Sequence, residues 1–236
     1  MNQNNYGAMN ALVDIIAAPG KALDAVREHP RWLWWPLLLT LLASIAAFSW
    51  YFLWVDFPWL VEEVVRTAVP PGGDPAMAEA IRTFMSPGVQ LASTAVGIVV
   101  ITLLMYTVQS LYLHLVNKAS GDPSLRFGQW FAFSAFTSFP VVFQSLAMAV
   151  VILMADSNQL PQQDLMPLSF QSLFVHAEPG SPWASWAGSL SLVTLWVLGL
   201  MIFGYRRWTG ASWAKATIIA LIPTLLVFGI WAAVIA

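Results

Sequence analysis

Three histidines and a few uncharged polar side chains are the residues with which this chain could do chemistry. His29, His114 and His176 lie far apart in the sequence. A metal centre needs three or four ligands converging on one point, and the topology read below puts His29 and His176 on opposite sides of a membrane. No H-E-x-x-H, G-x-S-x-G or G-x-x-x-x-G-K-[ST] pattern occurs, so no nucleophile, base or phosphate cradle can be named. Cysteine is absent, which excludes thiolate metal sites and a disulfide framework. The sequence therefore calls for no catalytic residue, no metal and no cofactor.

What remains is a small polar constellation around two prolines. The stretch FSAFTSFP ends at Pro140, and ATIIALIP ends at Pro223. A proline inside a helix removes one N–H and pushes away the carbonyl four residues earlier, here those of Phe136 and Ile219. In hydrocarbon such a carbonyl needs a donor from a neighbouring helix, a hydroxyl or a water. Counted at about 1.5 Å per residue from the cytoplasmic helix ends, Pro140 lies at about 16 Å and Pro223 at about 15 Å. Gln109 reaches a depth near that of Phe136, so its amide is the expected donor. The prediction is a helix kink, or a groove, formed by Gln109, Ser134, Thr137, Ser138, Pro140 and Pro223.

These residues must be positioned by elements suited to lipid. Of 236 residues, 58% are hydrophobic and 9% charged, against about 25% charged in a soluble domain. Uncharged intervals run over 32–55, 83–113, 127–155, 179–205 and 216–236. Crossing a hydrocarbon core takes about 20 helical residues, so spans are predicted near Leu33–Val55, Val89–Val116, Gln129–Ala155, Ser185–Tyr205 and Trp213–Ile235. No Asp, Glu, Lys or Arg falls in the middle of a span, so the relays and gating charges of pumps and voltage sensors are missing.

Eight of the ten basic residues, Lys21, Arg27, Arg31, Lys118, Arg126, Arg206, Arg207 and Lys215, fall on one side of this topology, and only Arg66 and Arg82 on the other. The positive-inside rule then places the N-terminus in the cytoplasm and Ala236 outside. Trp32, Trp34, Trp35, Trp130, Trp208 and Trp213 read as interface anchors on the cytoplasmic side, and Trp50, Trp54, Trp183 and Trp186 on the other. Residues 1–31 form a cytoplasmic segment of two short amphipathic helices broken at Pro19–Gly20, which can lie on the membrane or fold back on the bundle. Residues 32–236 form one membrane domain. Lys21, Arg27, Arg31, Arg206 and Arg207 are the candidate contacts with an anionic membrane surface. The loop after Asp56 reads as a helical hairpin broken at PPGGDP, and the loop after Ala155 as an irregular surface segment.

Three stretches in this order, AAPGKALDAVREHPRW, NKASGDPSLRFGQWFAFSAFTSFP and YRRWTGASWAKATIIALIP, together with a C-terminus that ends with the fifth span, resemble the YIP family of Ypt-interacting multi-pass membrane proteins. The resemblance covers nearly the full length. It implies an all-α bundle of five transmembrane helices with a cytoplasmic N-terminus. In eukaryotic relatives it implies binding of prenylated small GTPases and a role in vesicle traffic or membrane shaping. Only about thirty residues precede the first span here, which argues against GTPase binding, and the compact loops look like the bacterial branch.

The expected function is that of a non-enzymatic, multi-pass protein of a bacterial inner membrane. It would associate with lipids, other membrane proteins or further copies of itself, in membrane organisation or trafficking, with no nucleic-acid partner. The alternatives are a small-solute or lipid transporter whose path runs between kinked helices, and an intramembrane enzyme using His114.

Overall fold

Long uncharged runs punctuated by Ser, Asp and Pro leave the backbone one economical solution, which is to satisfy its own hydrogen bonds in helices. The computed structural model describes residues 6–69, 72–120 and 124–236; the Pro70–Pro71 break and residues 121–123 lie outside the described residues. Eleven α-helices are described: α1 (Ala8–Ala17), α2 (Pro19–Glu28), α3 (Trp34–Trp54), α4 (Phe57–Ala68), α5 (Pro75–Phe84), α6 (Pro87–Ala119), α7 (Phe127–Thr137), α8 (Val142–Met154), α9 (Pro182–Gly188), α10 (Leu192–Thr209) and α11 (Trp213–Ile235). Among the described residues the only β-type pairing is an isolated bridge between Ser169 and Ser191.

The helix starts are written in the sequence as a cap followed by proline. Asp56, Asp74, Ser86 and Ser181 each precede a proline in the first turn, and each side chain accepts a backbone N–H of that turn. Those bonds occupy donors that have no partner within the helix. The α4–α5 hairpin is closed by Arg82, which forms a two-pronged ion pair with Glu62 at 2.7 and 2.8 Å.

Among the described residues four helical stretches are long and apolar enough to cross a membrane: Pro30–Trp54, Pro87–Ala119, Phe127–Met154 and Trp213–Ile235. The expected span Ser185–Tyr205 is corrected. It is broken after Gly188, because Ser189–Ser191 leave the helix and dock on the preceding loop. There Phe170 donates to the Leu190 carbonyl at 2.8 Å and Leu192 to the Leu168 carbonyl at 3.0 Å. Ser191 then caps α10, its hydroxyl accepting from the Thr194 N–H. Helix α10 carries Arg206 and Arg207 in its last turn, so its apolar part is shorter than that of the other four.

The third stretch is interrupted as Pro140 requires. Helix α7 stops at Thr137, a 3₁₀ turn covers Phe139–Val141, and α8 carries on from Val142. Helix α11, by contrast, continues through Pro223 without a break.

The core has two main centres. The larger joins α1, α2, α7 and α10 through Leu12, Ile15, Leu23, Val26, Trp130, Phe133, Phe136, Tyr205 and Trp208. The N-terminal helices thus fold back onto the bundle, burying Leu12, Ile15, Leu23 and Val26 in it while Met9 and Val13 stay exposed. The second lies at the other end of α3, where Tyr51, Phe52, Leu60, Met148 and Leu165 pack together. It is latched by the Tyr51 hydroxyl on the Leu160 carbonyl at 2.7 Å.

Candidate functional site

The three stretches quoted for the family resemblance are far apart in sequence, and α2, the start of α7 and the end of α10 bring them to one place. Gln129 ties two of the elements. Its Oε1 accepts from the Arg126 N–H at 2.9 Å, capping α7, while its Nε2 donates to the Arg27 carbonyl at the end of α2, also at 2.9 Å. Trp208 ties the third: its indole N–H donates to the Leu23 carbonyl at 3.1 Å, and its own carbonyl accepts from the Arg27 guanidinium at 3.3 Å. Arg207 reaches over Gly20 to hold Asp24 with two contacts, one at 2.7 Å. A Cβ on Gly20 would meet that guanidinium at 3.3 Å, which gives the Pro19–Gly20 break a packing reason.

Beneath these polar ties lies an aromatic core. Trp130 stacks on Tyr205 with ring centroids 5.7 Å apart and meets Trp208 at 5.5 Å, while Phe133 meets Trp208 edge-on at 5.0 Å. Gly204 is where α10 crosses closest, since a Cβ there would lie 2.5 Å from the Phe133 ring and 2.9 Å from Leu23. The expectation that Trp130 and Trp208 are interface anchors is therefore corrected: both are buried in protein. Four aromatic rings at one crossing exclude lipid, and Trp208 spends its indole N–H on protein backbone. Trp34, Trp35 and Trp213 do keep about half of their surface exposed. Shallow beside the junction is an open depression of about 460 Å³ lined by Asp24, Arg27, Glu28 and Gln129.

The candidate kink layer is also partly brought together. Ser134 and Thr137 are fully buried and Ser138 nearly so. The Ser110 hydroxyl donates to Ser134 Oγ at 3.0 Å, and Thr137 Oγ1 donates to the Phe133 carbonyl at 2.9 Å. These hydroxyls are enclosed by helices. The expected Gln109 bond to Phe136 is not made, as Gln109 Nε2 is buried without a hydrogen-bond partner among the described residues; the hydroxyl contact to α7 comes from the next residue, Ser110. At the second proline the donor exists but is Tyr112, whose hydroxyl reaches the Ile219 carbonyl at 2.9 Å. Ile219 is the residue four before Pro223, so its carbonyl is the one that the proline frees.

The five candidate surface cations are sorted by their partners. Lys21 is paired with Asp14 at 2.8 Å, Arg207 with Asp24, and Arg27 with the Trp208 carbonyl. Arg206 lies over the Trp213 ring at 4.6 Å, and Arg31 is exposed. The ammonium of Lys21 holds the Asp14 carboxyl below the usual carboxylate range, with a further hydrogen bond from Tyr6 acting in the same direction. His114 Nδ1 is buried without a partner, and among the described residues no group of three or more His, Cys, Asp or Glu is placed to hold a metal ion.

Sequence reasoning missed Gln129, Gly204 and Tyr112. Gln129 had a local signal, since Glu or Gln three residues into a helix is a capping position. Gly204 and Tyr112 had none, because their importance lies in what crosses them.

A family model described as Yip1 domain matches residues 13–235. No curated protein and no solved structure matches the chain.

Proposed function

The chain belongs to the Yip1 domain family, and from that premise we propose that it is a non-enzymatic protein of a bacterial inner membrane. In this reading it associates laterally with lipids, other membrane proteins or further copies of itself, in membrane organisation or trafficking. The family is not known as enzymatic, and the apolar helices fit an integral membrane role.

One observation carries the reading. In the most apolar windows of α6 and α11 only 6% and 11% of the residues are buried within the protein, and large side chains such as Val96, Ile101 and Leu104 on α6 and Leu225, Val227 and Ile230 on α11 are more than half exposed, so each helix offers an apolar face to whatever surrounds the molecule. Helices that are apolar all round are stable only when covered by lipid or by other helices. The junction of α2, α7 and α10 then acts as the rigid base from which they are displayed. Pro140 marks the interruption of the third stretch while Pro223 is carried inside an unbroken α11, and Ser134 holds α7 to α6 through Ser110, with Thr137 and Ser138 buried beside it. The division at Arg31 separates a cytoplasmic segment from a membrane domain by environment, although the two share a core.

The proposed topology keeps five spans, with α10 as the fourth, the N-terminus cytoplasmic and Ala236 outside. Alkaline phosphatase fused after Ala236 should be active, and fused at Ser120 inactive; activity at Ser120 overturns it. For the activity itself, the purified full-length protein should retain defined lipids or a defined protein companion and give no solute flux after reconstitution into liposomes. Flux above that of empty liposomes would replace this reading with the transport one.

A further inference from the structure

Helix α1 turns three different sides to its surroundings. At about 100° per residue, Ala11, Leu12 and Ile15 share one side and are buried in the core that also holds Phe136. Asn10 and Asp14 share a polar side, on which Asp14 holds Lys21 at 2.8 Å and accepts from the Tyr6 hydroxyl at 2.9 Å. The third side carries Met9 and Val13, one turn apart and 56% and 66% exposed.

The spans beside α1 fix its level. Helices α3 and α8 end level with each other, since the Asp56 N–H just past α3 donates to the Asn158 carbonyl just past α8 at 2.9 Å. Further in, Ser44 of α3 meets Ser145 of α8 at 3.2 Å. Six residues before these serines come Leu38 and Phe139, which therefore share a depth, and nine before come Trp35 and Phe136. Helix α3 has 21 residues, about 31 Å at about 1.5 Å each. That length fits a hydrocarbon core of about 30 Å, so the start of α3 marks its cytoplasmic border. Helix α1 packs on α3 and on the 3₁₀ turn Phe139–Val141, and Tyr6, just before α1, reaches Trp32 with ring centroids 6.3 Å apart. Its protein contacts thus lie at the border and one turn below it. At the same level Trp34, Trp35 and Leu38 of α3 are at least half exposed, as indoles at a lipid border are.

We propose that α1 is an interfacial helix whose Met9–Val13 edge rests among the acyl chains of the cytoplasmic leaflet, with Asn10 and Asp14 turned to the headgroups and water. The segment stays on the cytoplasmic side and does not cross the bilayer. The contact is apolar, because the ammonium of Lys21 is already held by Asp14; it does not depend on anionic headgroups. A second copy of the chain would need about 800 Å² per partner for a stable interface, far more than two side chains offer, whereas acyl chains cover an edge of any size. The proposal rests on the reading above that α3 and the third stretch span the membrane.

The chain contains no cysteine, so single cysteines can carry a nitroxide label without background. Full-length M9C, V13C and N10C, with L104C on α6 as the control for a spanning helix, are reconstituted in liposomes of phosphatidylcholine, with and without phosphatidylglycerol. Collisions with oxygen, which prefers lipid, are compared with collisions with a water-soluble nickel chelate present on both sides. M9C and V13C should favour oxygen, at about 5–10 Å into the boundary between headgroups and acyl chains, while N10C favours nickel several-fold more strongly, in both lipid mixtures alike. Nickel access at M9C and V13C equal to that at N10C, with L104C in lipid, overturns the proposal and leaves the wider reading standing. If L104C is open to nickel as well, both fall. Labels at Met9 and Val13 shielded from both reagents, with spin–spin broadening that disappears on dilution with unlabelled protein, place a second copy there and overturn the lipid assignment. A pattern that appears only with phosphatidylglycerol overturns the apolar contact in favour of a charged one. Either labelled position decides alone should the other disturb the melting transition.

Discussion

The junction of α2, α7 and α10 and the outer helices α6 and α11 both carry many large apolar side chains, but they solve different packing problems. At the junction each large side chain is enclosed by other protein groups, and Trp130, Phe133 and Phe136 have no exposed surface. On α6 and α11 many large side chains point away from the protein, and Leu104, Val108, Leu225 and Val234 are more than half exposed. Specific shape matters where atoms of the same chain must interlock. Where lipid tails supply the contact, any apolar side chain of similar bulk serves. The glycines show the contrast most sharply: an added Cβ at Gly204 collides with Phe133, whereas at Gly97 of α6 and Gly229 of α11 it meets nothing within 4 Å.

The hardest blow to that contrast is Trp130→Ala. It removes the centre of the aromatic cluster and should cost about 3–5 kcal/mol, seen as a large fall in the melting temperature of the protein in detergent. A change no larger than that of Leu104→Ala would mean the junction is not a packed core. Gly204→Ala comes next, at about 1–3 kcal/mol for overpacking, and Gly97→Ala serves as its partner experiment, where the gain in helix propensity makes the effect zero or slightly stabilising. Tyr112→Phe sharpens the boundary between the two regions, because it removes the donor to the Ile219 carbonyl beside Pro223. A loss of about 1 kcal/mol is expected, and Pro223→Ala should abolish that loss by restoring a helical partner. The exposed Arg207–Asp24 pair is worth about 0.5–1 kcal/mol in a double-mutant cycle, and its coupling should shrink in high salt.

The smallest effect is a pH dependence at Asp14. Its carboxyl is held below the unfolded value, so the contribution from Lys21 and Tyr6 is fully present above the ordinary carboxylate range. It is lost as pH falls through the lowered value in the folded protein. Lys21→Met should flatten this part of the acid titration of stability; an unchanged titration would show that the pair does not anchor α1.

The long apolar helices were legible because their signal is local. Uncharged runs end at Ser, Asp and Pro, and the structure starts helices at Ser86, Asp56 and Asp74 as those residues require. The break before α10 was not legible, since Ser189–Ser191 leave the helix to bond with Leu168 and Phe170, residues that no local pattern connects to them. The kink at Pro140 was written in the sequence, but its polar partner was displaced by one position, from Gln109 to Ser110. One residue is 100° of helix rotation, which is beyond the reach of a depth count. For the same reason Trp130 and Trp208 read as interface residues: depth along the helix can be counted, but which face meets protein depends on the crossing at Gly204.

Helix α6 carries a further implication in its length. Its 33 residues measure about 50 Å at about 1.5 Å each, while the hydrocarbon core of a bilayer is about 30 Å thick. A span that exceeds its bilayer leans, or thickens the lipid around it, at a cost that grows with each ångström of mismatch. With Lys118 in its last turn and its first turn joined to α5 through only Met85 and Ser86, the surplus length of α6 projects past the hydrocarbon into the interface, so the helix sets how far the α4–α5 hairpin stands from the bilayer midplane.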